Sequence, residues 1–209
     1  MPKRVLIFDL ETTGLFKPCM KAPLLGEDTD APEPVSICWK FFAQEEMKYF
    51  ICKPTRASSP ESEKVHKITK EMIAAEGVDT SLVLDDFLRD ALSADMIVGH
   101  NVYFDRKVVR ATLLRMKRAD DLAAFERIPA SCTMLAGHSI FRFPVPGHPE
   151  RNKWPKLVEL AAKVGVEVDE TKTHDARYDV SLTEKCLARI FNTVAKRVHD
   201  PERQEAVND

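Results

Sequence analysis

The sequence lacks the cysteine pattern and the long apolar run that mark several large protein classes. Its five cysteines are odd in number and include no Cys-x-x-Cys pair, which argues against a disulfide framework and a zinc knuckle. Asp9 ends the first apolar run, which begins at Val5, well before the roughly 7–15 residues of a signal-peptide core. No stretch approaches the roughly 20 apolar residues of a membrane span. We therefore expect an intracellular, cytoplasmic protein with reduced thiols and no membrane partner.

The sequence also lacks an overall basic charge. Its formal net charge is −2, so it has no global field of the kind that holds a duplex-coating protein to nucleic acid, and any nucleic acid must be held locally. In the stretch 127–158, Glu150 is the single acidic residue, and basic side chains alternate there with Phe141, Phe143 and Trp154. This composition suits a single-strand groove. It equally suits a loop whose aromatic rings anchor it to the core.

Length and pattern favour one α/β domain. The chain has 209 residues, 44% of them hydrophobic, which suits one well-packed domain over residues 1–198, and we expect the charged segment 199–209 to be mobile. Strands over 35–42 and 47–52 are predicted to form a hairpin, followed by a helix over 82–92. Together with the runs described next, this predicts a mixed β-sheet flanked by α-helices.

Two carboxylates follow the first apolar run. Because strand side chains alternate, Asp9 and Glu11 are predicted to point to the same face of the strand that begins at Val5. Neighbouring carboxylates repel each other unless a cation neutralises them, and hard oxygen donors favour Mg²⁺ or Mn²⁺. Residues 12–14 then leave the strand through a glycine, which lets the backbone approach a ligand. Taken alone, an Asp-x-Glu pair is more often a solvated strand end.

A third carboxylate follows another apolar run. Asp105 opens a helix predicted over 104–117, directly after the short apolar run 95–99. In open α/β sheets, ligands bind beside the carboxyl ends of strands, where Asp105 is expected to lie. The alternative is that Asp105 complements the helix dipole and Asn101 caps the helix, with no ligand involved.

A fourth carboxylate and a histidine lie at the start of the most regular helix. Apolar residues recur at helical spacing from Ala176 to Val198, so Asp179 is predicted to lie in an early turn of a helix that packs on the core. His174 precedes that helix in a loop. A loop histidine is more often incidental, but this one stands five residues before a carboxylate and can reach whatever that carboxylate binds.

These three clusters, in this order, resemble the DEDDh exonuclease family, whose members have four acidic metal ligands and one histidine and include polymerase proofreading subunits. The resemblance spans roughly residues 4–195. It implies a ribonuclease H-like fold, two Mg²⁺ or Mn²⁺ ions and a histidine as general base. By that resemblance the metal ligands are Asp9, Glu11, Asp105 and Asp179, and the base is His174. A sister branch has tyrosine four residues before the last aspartate; that position is Asp175 here, so the spacing indicates the histidine branch.

The resemblance also implies an activity, namely 3′-to-5′ hydrolysis of single-stranded DNA or RNA ends to nucleoside 5′-monophosphates. The residues fit this chemistry independently, because two metals about 3.5–4 Å apart stabilise the transition state, and a histidine with a pKa of about 6.5 can accept the proton of water. DNA or RNA preference and a polymerase partner are left open. The expected substrate contacts are Thr12, Thr13, Gly14, Leu15, His66, Asn101 and Phe104.

Two features depart from the family pattern. Members often carry Val-His-Gly-Ile, whereas this chain has lysine at the third position, which puts the backbone geometry at Lys67 in doubt. The long connection 16–34 is rich in proline and acidic residues, and it follows the first cluster closely enough to alter substrate access.

Two alternative functions fit part of the same sequence pattern. The start of the chain also resembles the haloacid dehalogenase-like phosphatases, in which an aspartate after a strand is the nucleophile. The phosphatases also need a pair of acidic residues after a later strand, and the later apolar runs of this sequence end without such a pair. Membership of that family would leave the spacing between His174 and Asp179 unexplained. The second alternative is a non-catalytic nucleic-acid-binding module on a nuclease fold. A nuclease domain that has lost its activity in evolution has usually lost some of its active-site residues. Here the four acidic residues and the histidine are all present.

Overall fold

The computed structural model describes residues 4–16 and 30–198, and within them the chain forms a six-stranded mixed sheet. The strand order is β4-β3-β2-β1-β5-β6. β1 and β2 are antiparallel, as are β2 and β3, whereas the pairs β1 with β5, β5 with β6 and β3 with β4 are parallel. The strands are β1 (Val5–Thr12), β2 (Pro34–Phe41), β3 (Met47–Lys53), β4 (Val78–Asp79), β5 (Met96–Gly99) and β6 (Ala130–Cys132). A separate hairpin contains β7 (Pro144–Val145) and β8 (His148–Asn152).

Eight α-helices flank the sheet in the described part of the chain. They are α1 (Pro60–His66), α2 (Lys70–Glu76), α3 (Thr80–Leu92), α4 (Val102–Arg115), α5 (Ala119–Glu126), α6 (Thr133–Ile140), α7 (Leu157–Lys163) and α8 (Ala176–Val198). The predicted hairpin corresponds to β2 and β3, and the helices predicted over 82–92 and 104–117 correspond to α3 and α4. The predicted fold class, a mixed sheet flanked by helices, is confirmed.

The central strand β1 is buried on both faces, which fixes where its carboxylates point. Phe8 packs with Phe87 of α3 in the largest core cluster, whereas Ile7 packs on the opposite face with Ala176 and Val180 of α8. Side chains alternate along a strand, so the carboxylates two and four residues after Ile7 share its face. They therefore lie on the side of the sheet where α8 begins.

Four cysteines lie in the described residues, Cys38, Cys52, Cys132 and Cys186, and all four are free and buried, which agrees with the expectation of reduced thiols. No helix within 4–16 and 30–198 is long and apolar enough to cross a membrane. The predicted mobile segment 199–209 and most of the connection 16–34 lie outside the described residues.

Candidate active site

Four carboxylates from three distant segments converge at the end of β1. Asp9 and Glu11 come from β1, Asp105 from the first turn of α4 and Asp179 from the first turn of α8. The Asp105 side chain is only 4% exposed, and its carboxylate accepts a hydrogen bond from the backbone N–H of Leu10. That bond joins the start of α4 to β1 and holds the third carboxylate beside the first two.

The cluster is electrostatically costly while it holds no cation. Burial is the main cause that raises the pKa of Glu11 to about 8, and the charges of Asp179 and Asp105 add to it. Burial likewise raises the pKa of Asp179 to about 6. The pKa values of Asp9 and Asp105 are also raised well above the ordinary range, chiefly by burial. Buried carboxylates that repel one another in this way are the donor set that a hard divalent cation would neutralise.

His174 is held next to this cluster by a strained loop. Its backbone has φ 64°, in the left-handed region, and its N–H donates to Asp179 Oδ2 at 3.2 Å. Donor atoms of Glu11, His174 and Asp179 all lie within 4.8 Å of one another, so these three residues could hold a metal ion. Desolvation lowers the pKa of His174, and the positive charges of Lys156 and Lys67 lower it further. The imidazole is therefore neutral at pH 7 and able to accept a proton.

A cavity of about 600 Å³ opens beside the carboxylates. Most of its polar wall comes from β1 and the first turn of α1, and its apolar lining includes Leu15, Val65 and Phe104. Leu15 is 78% exposed. Phe104 is braced by an edge-on contact with Phe16, whose ring centroid lies 5.7 Å away. The remaining lining residues are Leu10, Glu11, Thr12, Ser59, Glu61, Ser62, His66, Asn101 and His174.

Five of the seven predicted substrate contacts line this cavity, namely Thr12, Leu15, His66, Asn101 and Phe104. Thr13 and Gly14 are not among the lining residues. The Thr13 hydroxyl accepts a hydrogen bond from the backbone N–H of Glu33 at 3.0 Å, and the Thr13 carbonyl accepts one from the N–H of Ser59 at 2.8 Å. Thr13 thus anchors the start of α1 to the end of β1.

The sequence allowed an alternative role for Asn101, in which its side chain caps α4, and the structure does not show this cap. Asn101 occupies the position before the first helical residue, in the left-handed conformation at φ 64°, but its side chain makes no capping hydrogen bond. The amide instead lines the cavity beside Phe104.

Sequence reasoning missed the contribution of α1 to the cavity. Ser59, Glu61, Ser62 and Val65 line it, yet no helix was predicted over these residues. A signal was present in Ser59 followed by Pro60, because serine is a preferred N-cap and proline is favoured in the first helical turn. In the structure the Ser59 hydroxyl accepts from Ser62 N at 3.1 Å.

The basic and aromatic stretch 127–158 divides into a buried and an exposed part. Phe143 is buried in a core cluster with Leu160, as expected of a ring that anchors a loop. Trp154 is 56% exposed, and its ring lies 4.0 Å from that of His138, centroid to centroid. The neighbouring Pro155 carbonyl lies 3.0 Å from His100 Nε2, so this loop is attached to the end of β5.

The fold and the site together, a mixed sheet with a cluster of carboxylates that could hold a divalent cation, are typical of a nuclease. A family model described as Exonuclease, of the RNase T type, matches residues 6–187. The chain therefore belongs to this exonuclease family, and the predicted DEDDh resemblance and nuclease activity are confirmed.

Solved structures of exonucleases share the fold, which confirms the ribonuclease H-like prediction. Exonuclease X in complex with 5′-overhanging duplex DNA matches with a TM-score of 0.57 and 21% identity, over 90% of this chain and 92% of that one. Exonuclease I from E. coli, in complex with a dA16 oligonucleotide, matches with a TM-score of 0.65 and 20% identity, over 91% of this chain and 41% of that one. Exonuclease I from Methylocaldum szegediense gives 0.65 and 21%, over 95% and 41%. This chain thus spans about two fifths of the exonuclease I chains. No curated protein matches the sequence.

Proposed function

We propose that the protein removes nucleoside 5′-monophosphates from the 3′ ends of single-stranded DNA or RNA by a two-metal mechanism. The observation that carries the proposal is the convergence of four carboxylates, one buried and three partly buried, with a neutral histidine and a cavity of about 600 Å³ at the end of one strand. That volume is within the usual range of small-ligand pockets. The alternatives of a dehalogenase-like phosphatase and a non-catalytic module gain no support from this arrangement.

The carboxylates would hold two Mg²⁺ or Mn²⁺ ions through their oxygens. Bound there, such ions supply stabilisation of the charge that develops on the reacting phosphate and on the departing oxygen. Asp9, Glu11, Asp105 and Asp179 are the proposed ligands. Their raised pKa values fit this role, because removing mutual repulsion is what a cation provides.

His174 is the proposed general base. Its lowered pKa keeps the ring nitrogen free to accept the proton of water at neutral pH. The hydrogen bond from its own backbone N–H to Asp179 keeps the imidazole loop against the metal ligands. This hydrogen bond joins the segment that carries the proposed base directly to one proposed ligand, Asp179.

The cavity is the proposed pocket for the terminal nucleotide. The ring of Phe104 and the side chains of Leu15 and Val65 offer apolar surfaces between which a base can lie, and Asn101 offers an amide for hydrogen bonding. A pocket bounded by the strand end and α1 would accept a chain terminus rather than a continuous strand, which favours an exonuclease. The 3′ polarity follows from the family. The exposed Trp154 is a further stacking surface for an upstream base.

His66 lines the same pocket. Its Nδ1 accepts from the N–H of Ile68 at 3.0 Å, so a neutral ring carries its proton on Nε2. That Nε2 is buried and has no hydrogen-bond partner among the described residues. A buried donor without a partner is uncommon, and a sugar or phosphate oxygen of the substrate would satisfy it.

The test is degradation of 5′-labelled single-stranded DNA, single-stranded RNA and mismatched duplex, side by side, with Mg²⁺ and with Mn²⁺. We expect a ladder that shortens from the 3′ end, release of 5′-monophosphates and no reaction in EDTA. The matched control is Asp9→Asn, which should leave every substrate intact. Internal cuts as the first products, or equal activity of the control, would contradict the proposal. A polymerase partner stays a prediction.

A further inference from the structure

Lys67 has a backbone conformation that normally belongs to glycine. It ends α1 with φ 60° and ψ 13°, and its N–H donates to the carbonyl of Glu63 at 2.8 Å. A residue with a Cβ pays a steric cost in this left-handed region, whereas glycine does not. Although the family pattern has glycine at this position, lysine adopts the same left-handed backbone geometry here. Strained residues of this kind cluster at functional sites, so the side chain of Lys67 invites a functional explanation.

Lys67 lines a second cavity, of about 250 Å³, which is also lined by residues 171–177 of the histidine loop and the start of α8. This cavity and the nucleotide pocket share three residues, Glu11, His66 and His174, so they meet beside the proposed base and one of the proposed metal ligands. The other cations that line the second cavity are neutralised. Lys172 Nζ lies 2.9 Å from Asp169, and Arg177 Nη2 lies 2.6 Å from Asp175.

Lys67 differs from these cations. Within residues 4–16 and 30–198 its ammonium has no carboxylate partner in a salt bridge. Its charge nevertheless acts on His174, whose pKa it helps to lower, so it lies within electrostatic reach of the proposed base. His66, which is 6% exposed, also lines this cavity, and its buried Nε2–H has no hydrogen-bond partner among the described residues. Within the same residues no protein acceptor pairs with the ammonium of Lys67 either, and both residues border the space next to Glu11.

We propose that Lys67 and the Nε2–H of His66 form an anion subsite for the phosphate of the terminal nucleotide, both in the substrate and in the released 5′-monophosphate. This inference rests on the proposed function. Ammonium and imidazole N–H groups are suitable donors to non-bridging phosphate oxygens. Glu11 lines the same space and repels a phosphate while it is ionised, so the subsite operates when a divalent cation neutralises the carboxylates. The strain at Lys67 is then the cost of directing a cation to this position.

The test compares thymidine 5′-monophosphate with thymidine in calorimetric titrations of the full chain, with Mn²⁺ present. Lys67→Asn and Lys67→Gly remove the charge and tolerate the left-handed backbone, whereas Lys67→Arg keeps the charge. We expect both neutral variants to bind the monophosphate roughly tenfold more weakly, the loss of one charged hydrogen bond that is partly exposed. Thymidine affinity should stay within about twofold, and Lys67→Arg should stay within about threefold of the parent for both ligands. The matched control is Lys64→Asn, which removes an exposed lysine of the same helix that lines neither cavity.

Thermal melting separates this role from a structural one. Since glycine is free of strain at this position, Lys67→Gly should melt at or above the parental temperature while losing monophosphate affinity. Unchanged preference for the monophosphate in both neutral variants would overturn the subsite, as would equal loss of thymidine and monophosphate binding. Failure of the proposed function looks different, because the parent itself would then release no monophosphate from a linear strand, and the subsite would fall with it.

Discussion

Replacing one proposed metal ligand should make the metal-free protein more stable while abolishing its activity. Asp179→Asn removes a carboxylate whose pKa is raised to about 6, chiefly by burial, from an ordinary value of 3.8. Because the folded pKa is the higher one, the folded state favours the protonated carboxyl, and stability is lost as pH rises from about 4 through 6. Above pH 7 the parent protein is destabilised by the buried, ionised carboxylate of Asp179, whereas the variant has no charge at this position. The amide oxygen can still accept the N–H of His174, so the loop keeps its hydrogen bond.

The size of the effect follows from the same pKa values. A rise from 3.8 to about 6 corresponds to roughly 3 kcal/mol. Since Asp179 is partly exposed, we expect about 1–3 kcal/mol in practice, which for a domain of this size raises Tm by about 3–10 °C. Asp179 is also the largest charge that acts on Glu11, so the variant should lower the pKa of Glu11 as well.

The assay is thermal unfolding in EDTA at pH 4.5 and pH 8.0. The variant should melt above the parent at pH 8.0 and close to it at pH 4.5, and Mn²⁺ should stabilise the parent much more than the variant. The matched control is Asp90→Asn, outside the cluster, where hydrogen bonds from Trp39 and Lys48 outweigh burial and lower the carboxyl pKa, so the sign is reversed and Tm should fall slightly at pH 8.0. A variant that melts at or below the parent at pH 8.0 in EDTA would refute the account of the acidic cluster.

Three further predictions concern the general base, the requirement for a free 3′ end in the nucleic acid and the packing of the domain. His174→Ala should lower turnover by roughly 10²–10⁴-fold, the usual contribution of a positioned general base, while calorimetry finds Mn²⁺ affinity nearly unchanged; a loss of affinity as large as that of Asp179→Asn would make His174 a ligand instead. A circular single strand has no 3′ terminus, so it should persist on a gel while the linear form of the same sequence disappears, and rapid nicking of the circle would indicate an endonuclease. Gly137→Ala should destabilise the fold by about 1–3 kcal/mol in urea unfolding, because an added Cβ would lie 2.6 Å from Leu160 Cδ1; a stability equal to the parent would mean that α7 yields at this contact.

The elements that position the proposed metal ligands could be predicted from sequence because their signals are local. The apolar run of β1 and its alternation settle the face of Asp9 and Glu11, and the helical stripe of α8 settles the position of Asp179. Each is a periodicity over a short window, which is what sequence patterns record well. The order of the three clusters then identified the family.

The wall of the pocket formed by α1 could not be predicted, because it depends on contacts between residues far apart in the chain. Glu33 explains why. Its buried carboxylate accepts hydrogen bonds from the N–H and hydroxyl of Thr55, at 2.6 and 2.7 Å, and its backbone pairs with Thr13. Those hydrogen bonds lower the pKa of Glu33, against the effect of burial, and hold the chain before α1 against β1. The sequence of residues 55–66 has no hydrophobic periodicity that predicts the packing of this segment against β1, and α1 itself is only seven residues long.

The chain order of the four carboxylates has a consequence for biosynthesis. Asp9 and Glu11 are made first, but Asp179 and the histidine loop come from the start of α8, the last helix of the described chain. A nascent polypeptide thus carries the first half of its acidic cluster before the second half emerges. α8 packs on Ile7 and Cys38, so the contacts that cover this face of the sheet are also the ones that bring Asp179 to the end of β1. Under the proposed assignment, a chain that ends before α8 lacks one metal ligand and the base, and we expect it to hydrolyse no nucleic acid.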